Sequence, residues 1–233
     1  MKAADHKAVT KAATKVPSKN PPAASAELSE LRPGQSVELL KELHILTREG
    51  RLNQDSRRKL KQVYHLFNFI EPLLQEMSAD GHSPTLADHG AGKSYLGFIL
   101  YDLYFKALGR GHIYGIETRA ELVAKSRALA QQLGFGRMSF LNLSVAESTD
   151  AAELPERIDV VTALHACDTA TDDAIAKAVK AKASLIVVAP CCHKQVRREM
   201  AAGAGHRLGF MLKHGTYMER MAEMVTDGLR AKL

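Results

Sequence analysis

From Pro84 onward the chain alternates short apolar runs with longer amphipathic stretches, and this alternation constrains its fold more than any other feature. The apolar runs fall at 85–88, 112–117, 138–143, 158–165 and 184–190. Between and after them, 93–108, 119–133, 171–182 and roughly 216–231 carry apolar residues at helical spacing. Strands and helices in this succession predict an α/β domain whose parallel sheet is covered on both faces. Ile-Asp-Val-Val-Thr-Ala-Leu and Ser-Leu-Ile-Val-Val-Ala-Pro, in the last two runs, read as strands buried on both sides. There is no internal repeat.

The residues ahead of Pro84 behave differently. Residues 1–26 are rich in Ala, Lys, Pro and Ser without periodicity, which predicts a disordered basic tail. Residues 27–80 are expected to form a helical extension. One helix is predicted over 36–48 with Gly50 as its stop, and a second beginning after Asn53 or Asp55. The second has apolar residues at Leu60, Val63, Tyr64, Phe67 and Ile70, and Pro72 is expected to kink it. Residues 81–233 make up the remaining domain. No apolar run approaches a membrane span, and none follows the N-terminal lysines as a secretory signal would require. The cysteines, Cys167, Cys191 and Cys192, are odd in number and include a vicinal pair, which fits reduced thiols in a cytoplasmic protein.

Net charge is +6, unevenly spread. Residues 1–26 carry Lys2, Lys7, Lys11, Lys15 and Lys19 against Asp5. Residues 48–61 carry six basic residues against Glu49 and Asp55, and the segment after Pro190 has eight basic against four acidic. Basic flanks around an acidic centre point to a polyanionic partner such as RNA, although solvated faces and a solubilising tail give the same pattern.

The turn after the first predicted strand reads Leu86-Ala87-Asp88-His89-Gly90-Ala91-Gly92-Lys93-Ser94. Gly92-Lys93-Ser94 matches the end of a phosphate-binding P-loop, but that motif requires glycine where Ala87 stands. Gly90-x-Gly92 suits a dinucleotide loop, but the next glycine is missing and Asp88 occupies a usually apolar position. A third reading is S-adenosylmethionine (SAM). Asp88 would then face the cofactor's amino group, with His89, Gly90, Gly92 and Lys93 around its amino acid portion and Lys93 within reach of its carboxylate. Glu117, 29 residues on at the end of the next strand, would accept the ribose hydroxyls. The plain alternatives are that Asp88 and Glu117 cap secondary structure and that Lys93 is an exposed lysine opening a helix.

Residues 85–190 resemble a class I SAM-dependent methyltransferase, and more narrowly the group called methyltransferase domain 32. The resemblance is carried by Asp88–Leu96, by Leu164-His165-Ala166-Cys167-Asp168-Thr169-Ala170-Thr171-Asp172, and by Ala189-Pro190-Cys191-Cys192-His193-Lys194. The last two segments are also similar to the eukaryotic tRNA 2′-O-methyltransferase family that modifies the acceptor stem. The resemblance implies a Rossmann-like sheet of order 3-2-1-4-5, SAM as cofactor, and Ser144 near the adenine. It also implies a C-terminal hairpin of two further strands. Here the residues after Pro190 read only as a loop and one helix, so either the sheet is shorter or a partner or a further segment completes its edge.

Ligands of open parallel sheets bind beyond the carboxyl ends of the strands. That places the His165–Asp168 and Pro190–Lys194 segments near the methyl group, with His165 also against the cofactor. His165, Asp168 and His193 are candidate general bases. Zinc held by the three cysteines and a histidine is disfavoured by the vicinal pair, so no metal is expected. A cysteine nucleophile toward a pyrimidine carbon is another reading, and buried packing of the thiols a third. His6, His44, His65, His82 and His206 carry no functional expectation. The function expected is SAM-dependent methylation of RNA, either tRNA or rRNA. Its rivals are methylation of a small molecule or protein, and a non-catalytic SAM- or RNA-binding module.

Overall fold

The computed structural model describes residues 30–164, 166, 169–189, 193–202, 209–230 and 232. The predicted tail at 1–26 lies outside them. All elements below belong to one compact unit, Gly34–Leu233.

Among the described residues, two helices precede the sheet. Helix α1, Val37–Glu42, is capped by Ser36, whose hydroxyl accepts from the Leu39 N–H at 3.1 Å. It ends earlier than its apolar pattern predicts. His44 takes a left-handed conformation, φ 55°, and the His44 and Ile45 N–H groups donate back to the Lys41 and Leu40 carbonyls. This Schellman closure usually employs glycine, so the stop at His44 is invisible to a reading that looks for Gly50. Helix α2, Gln54–Ser78, is capped by the Asn53 side chain and runs unbroken through Pro72. Its face of Leu60, Val63, Phe67, Ile70 and Leu74 is buried, each side chain contributing about 1.5–3 kcal/mol of transfer free energy.

The sheet contains β1 (Thr85–His89), β2 (His112–Ile116), β3 (Met138–Leu141), β4 (Val160–Ala163) and β5 (Leu185–Val188). All pairings are parallel and the order is β3-β2-β1-β4-β5, as the alternation and the resemblance predict. Asp88 pairs in register with Gly115 on one side and Thr162 on the other. The strand order reverses at β1 and β4, which creates the crevice where open sheets bind ligands.

Helix α3 (Tyr95–Leu100) continues through a π-helical turn, Tyr101–Phe105, into α4 (Lys106–Leu108). The Lys106 N–H reaches back five residues to the Tyr101 carbonyl. Asp102, in that turn, accepts the Ser36 N–H at 2.7 Å and so anchors the start of α1. Helix α5 (Ala120–Gln132) links β2 to β3, and α6 (Thr169–Lys180) links β4 to β5. An aromatic cluster of Phe98, Phe135 and Phe140 fills one side of the sheet. A second cluster joins Ala87, Ile116, Ile158 and Val161 to Ala178 of α6.

After β5 come three helices, α7 (Lys194–Ala202), α8 (Gly209–Leu212) and α9 (Gly215–Arg230), rather than the expected loop and single helix. Helix α7 escapes a hydrophobic-period reading because it is mostly polar and none of its residues is buried. The sheet has five strands among the described residues, and β5 forms its half-buried edge. No described helix is long and apolar enough to cross a membrane.

Candidate functional site

A cavity of about 910 Å³ opens at the carboxyl ends of β1, β2 and β4. Five sequence-predicted residues from the first loop and the second strand line it: Asp88, Gly90, Gly92, Lys93 and Glu117. Ser144, after β3, lines it as well, and its hydroxyl accepts the Glu147 N–H at 3.2 Å.

The loop shape follows from three left-handed residues in alternation: Gly90 at φ 65°, Gly92 at 58° and Ser94 at 51°. A Cβ on Gly90 would sit 3.3 Å from the Ala166 Cα, so the first glycine is required for space as well as conformation. Ser94 is the substitution that weakens the three-glycine pattern in the sequence. It nonetheless holds the conformation a glycine would take.

Asp88 is 4% exposed, and its Oδ1 accepts the Thr162 hydroxyl at 2.7 Å. Burial pushes its carboxyl up to about 6; the Thr162 hydrogen bond opposes this and the Glu117 charge adds to it. No cation pairs with Asp88 among the described residues. A buried carboxylate on a cavity wall without a cation fits a ligand that brings one, such as an ammonium group.

Glu117 is the opposite case. Burial would raise its carboxyl, but the Arg119 side chain, the Arg119 and Gly92 N–H groups and the Arg119 charge bring it down to about 2. The Gly92 N–H donates to Oε2 at 2.8 Å, tying the glycine loop to the end of β2.

Two expected residues stand away from this cavity wall. His89 is fully buried because successive strand residues point to opposite faces, and Asp88 takes the cavity side. Burial, then the nearby Lys177 charge, lowers its imidazole to about 3, and neither ring nitrogen has a hydrogen-bond partner. His193 is half-buried just before α7 and is not among the cavity-lining residues; its Nδ1 is buried and unpartnered. His165 and Asp168 lie outside the described residues, as do Cys167, Cys191 and Cys192; Ala166 between them lines the cavity. Among the described residues no group of three or more His, Cys, Asp or Glu side chains could hold a metal ion.

Other cavity residues were not assigned to the pocket from the sequence. Lys59 of the basic run, Gln62, and His65, which carried no functional expectation, form one wall from α2, and Asp173 of α6 contributes a carboxylate. Helical spacing would have grouped the α2 residues, but nothing in the chain shows that this helix lies over the sheet's carboxyl end.

The sheet order, the glycine loop and the acids ending β1 and β2 define a Rossmann-like domain with a nucleoside-sized pocket. A family model described as a methyltransferase domain matches residues 58–199. The chain belongs to this family, whose methyl donor is SAM. No curated protein matches it. Similar solved structures include the YcgJ protein from Bacillus subtilis, at 14% identity over 42% of this chain and 39% of that one, TM-score 0.33. An rRNA methylase from Streptococcus thermophilus aligns at 12% identity over 54% and 72%, TM-score 0.37. Magnesium protoporphyrin IX methyltransferase from Synechocystis PCC 6803, solved with bound SAH, aligns at 17% over 61% and 62%, TM-score 0.38. The chain thus spans about two fifths of the first of these proteins.

Proposed function

We propose that this chain transfers the methyl group of SAM to RNA. The observation that carries the RNA reading is the position of α2. Its amino-terminal half carries Arg57, Arg58, Lys59 and Lys61, and of these Lys59 lines the cavity together with Gln62 and His65. Phosphate contacts of this kind hold and orient RNA with strong salt dependence.

The residues divide the work as follows. Asp88 holds the donor's ammonium group, which satisfies a buried carboxylate that has no cation among the described residues. Glu117 holds the ribose hydroxyls, Ser144 lies at the adenine side, and Lys93 faces the donor's carboxylate. Gly90 and Gly92 keep the wall low enough for the ligand to lie against the backbone. SAM supplies an electrophilic methyl group on a sulfonium, so the protein's main task is alignment of the acceptor behind that carbon. Removal of the acceptor's proton falls to His165 or Asp168 rather than to His193, which stands off the cavity wall, and Asp173 is a further carboxylate at the cavity.

The test uses tritiated SAM with the full chain and total RNA. Label in RNA that falls as salt rises supports the reading. Label in protein or small molecules alone overturns the RNA assignment. Absence of SAH binding by calorimetry, with the protein folded, overturns the cofactor roles.

A further inference from the structure

Helix α2 presents a second surface beside the cavity. Arg58, Lys59, Gln62, His65, Leu66, Phe69 and Leu73 recur at three- and four-residue intervals and therefore share one side of the helix. The opposite side is the buried face of Leu60, Phe67 and Leu74. Lys59, Gln62, His65 and Leu66 line the cavity. Further along the same side Phe69 is 62% exposed and Leu73 39% exposed. The His65 ring meets Phe69 edge-on, with centroids 4.9 Å apart and planes at 89°.

A single exposed phenylalanine needs no explanation. This one continues a row that begins inside the site, stands in T-shaped contact with an imidazole, and lies on the same side as two cations. Lys59 pairs with Asp55 at 2.8 Å, but both side chains are well exposed, so a phosphate can take its place. Aromatic faces beside basic side chains are the elements that bind unpaired nucleotides: bases stack on the ring and phosphates meet the cations. An acidic peptide would satisfy the cations and leave the ring unused. From Leu66, the last residue of α2 on the cavity wall, to Phe69 the helix advances roughly 4.5 Å, within the reach of a neighbouring nucleotide.

We infer that Phe69, in contact with His65, is a stacking platform for an unpaired base flanking the acceptor nucleotide, with Arg58 and Lys59 taking its phosphates. The inference rests on the RNA reading above and gives it a structural preference: single-stranded or looped RNA, not duplex.

The test is fluorescence anisotropy of the full chain, saturated with SAH, against labelled ten-nucleotide oligo(A), a ten-base-pair RNA duplex and an oligo-glutamate peptide. The expected result is preference for oligo(A). Phe69→Ala should then weaken oligo(A) binding about tenfold, within the range of one lost base–aromatic stack. Phe69→Tyr should restore it, and SAH affinity should stay unchanged in both. Lys59→Ala should instead flatten the salt dependence. Equal oligo(A) binding by wild type and Phe69→Ala overturns the platform, as does tighter binding of the duplex or the peptide. Total-RNA methylation by both proteins alike would leave the RNA reading standing while removing the platform. Methylation of protein alone would remove both.

Discussion

The Arg119 guanidinium grips the Glu117 carboxylate with two prongs, Nε to Oε1 at 3.0 Å and Nη2 to Oε2 at 3.2 Å. The Gly92 N–H, the Arg119 N–H and the Thr118 hydroxyl also donate to this carboxylate. Five donors therefore converge on a group with about four lone-pair sites. Two ribose hydroxyls raise the count to seven, so they find room only if three donors leave. The backbone donors are fixed, so the ones that can leave are the Thr118 hydroxyl and the two on the Arg119 side chain, which is 59% exposed. An ion pair this exposed is worth at most about 1 kcal/mol. Arg119→Ala should accordingly tighten SAH binding by up to about fivefold. Glu117→Gln should weaken it by tenfold or more, since it removes hydrogen bonds to a charged acceptor. Isothermal titration on both variants checks the pair of directions.

Asp88 makes the ligand-free protein pH-sensitive. Its carboxyl titrates at about 6 when folded and near 3.9 when unfolded. Between those values the folded state holds more protons than the unfolded one. Stability from this group is therefore complete below about pH 4 and is lost as pH rises through 6, a change of up to about 3 kcal/mol. Asp88→Asn keeps the acceptor for Thr162 and carries no charge. Urea unfolding should show the variant more stable than wild type at pH 8 and nearly equal to it at pH 4. Its SAH affinity should fall sharply. In wild type, SAH binding should weaken about tenfold per pH unit below 6, because the carboxylate must be ionised to pair with an ammonium group.

Ser94 and Gly97 form a coupled pair at the start of α3. Ser94 holds φ 51°, and its buried hydroxyl has no hydrogen-bond partner. A Cβ on Gly97 would lie 2.5 Å from that hydroxyl, while its other neighbours stand at ordinary contact distances. Ser94→Gly should stabilise the protein by about 1 kcal/mol through relief of the left-handed strain. Gly97→Ala alone should destabilise it. In the double variant the clash is gone and alanine's helix propensity adds about 1 kcal/mol. Denaturant unfolding of the four proteins should reveal non-additivity of 1 kcal/mol or more; additive effects would show the two positions to be independent.

The sheet was legible because a doubly covered parallel strand is buried throughout and mostly apolar, as in Val160–Ala163, and helices of readable period separate all the strands but β3 and β4. Asp88, Gly90, Gly92 and Glu117 were legible because strand-end acids and close-approach glycines are local features. The π-helical turn at Tyr101–Phe105 was not, since its residues are as apolar as those of the helix around them. Nor was His44 as a helix stop, because left-handed closure by a non-glycine residue leaves no compositional mark. The α2 wall depends on tertiary docking, which no local pattern encodes.

That docking has an identifiable fastening. The Tyr104 hydroxyl, in the π-helical turn, donates to the Leu74 carbonyl at 2.8 Å and lies 3.0 Å from the Ser78 hydroxyl. The Arg110 Nη2 donates to the Ser78 carbonyl at 2.9 Å. These contacts hold the carboxyl-terminal turns of α2 against the sheet domain, and they lie at the end away from Lys59 and His65. Tyr104→Phe should cost about 1 kcal/mol of global stability, the net worth of a buried hydrogen bond. Because the ring is retained, the core should stay packed. A rigid helix would transmit the loosening along its length, so hydrogen exchange should quicken across α2, including the turns at Lys59 and His65. The glycine loop, held by Gly92 and Glu117, should be unaffected. SAH affinity is then expected to change less than twofold, while methyl transfer to RNA slows. Equal loss of SAH binding and transfer would mean that α2 serves the donor rather than the acceptor.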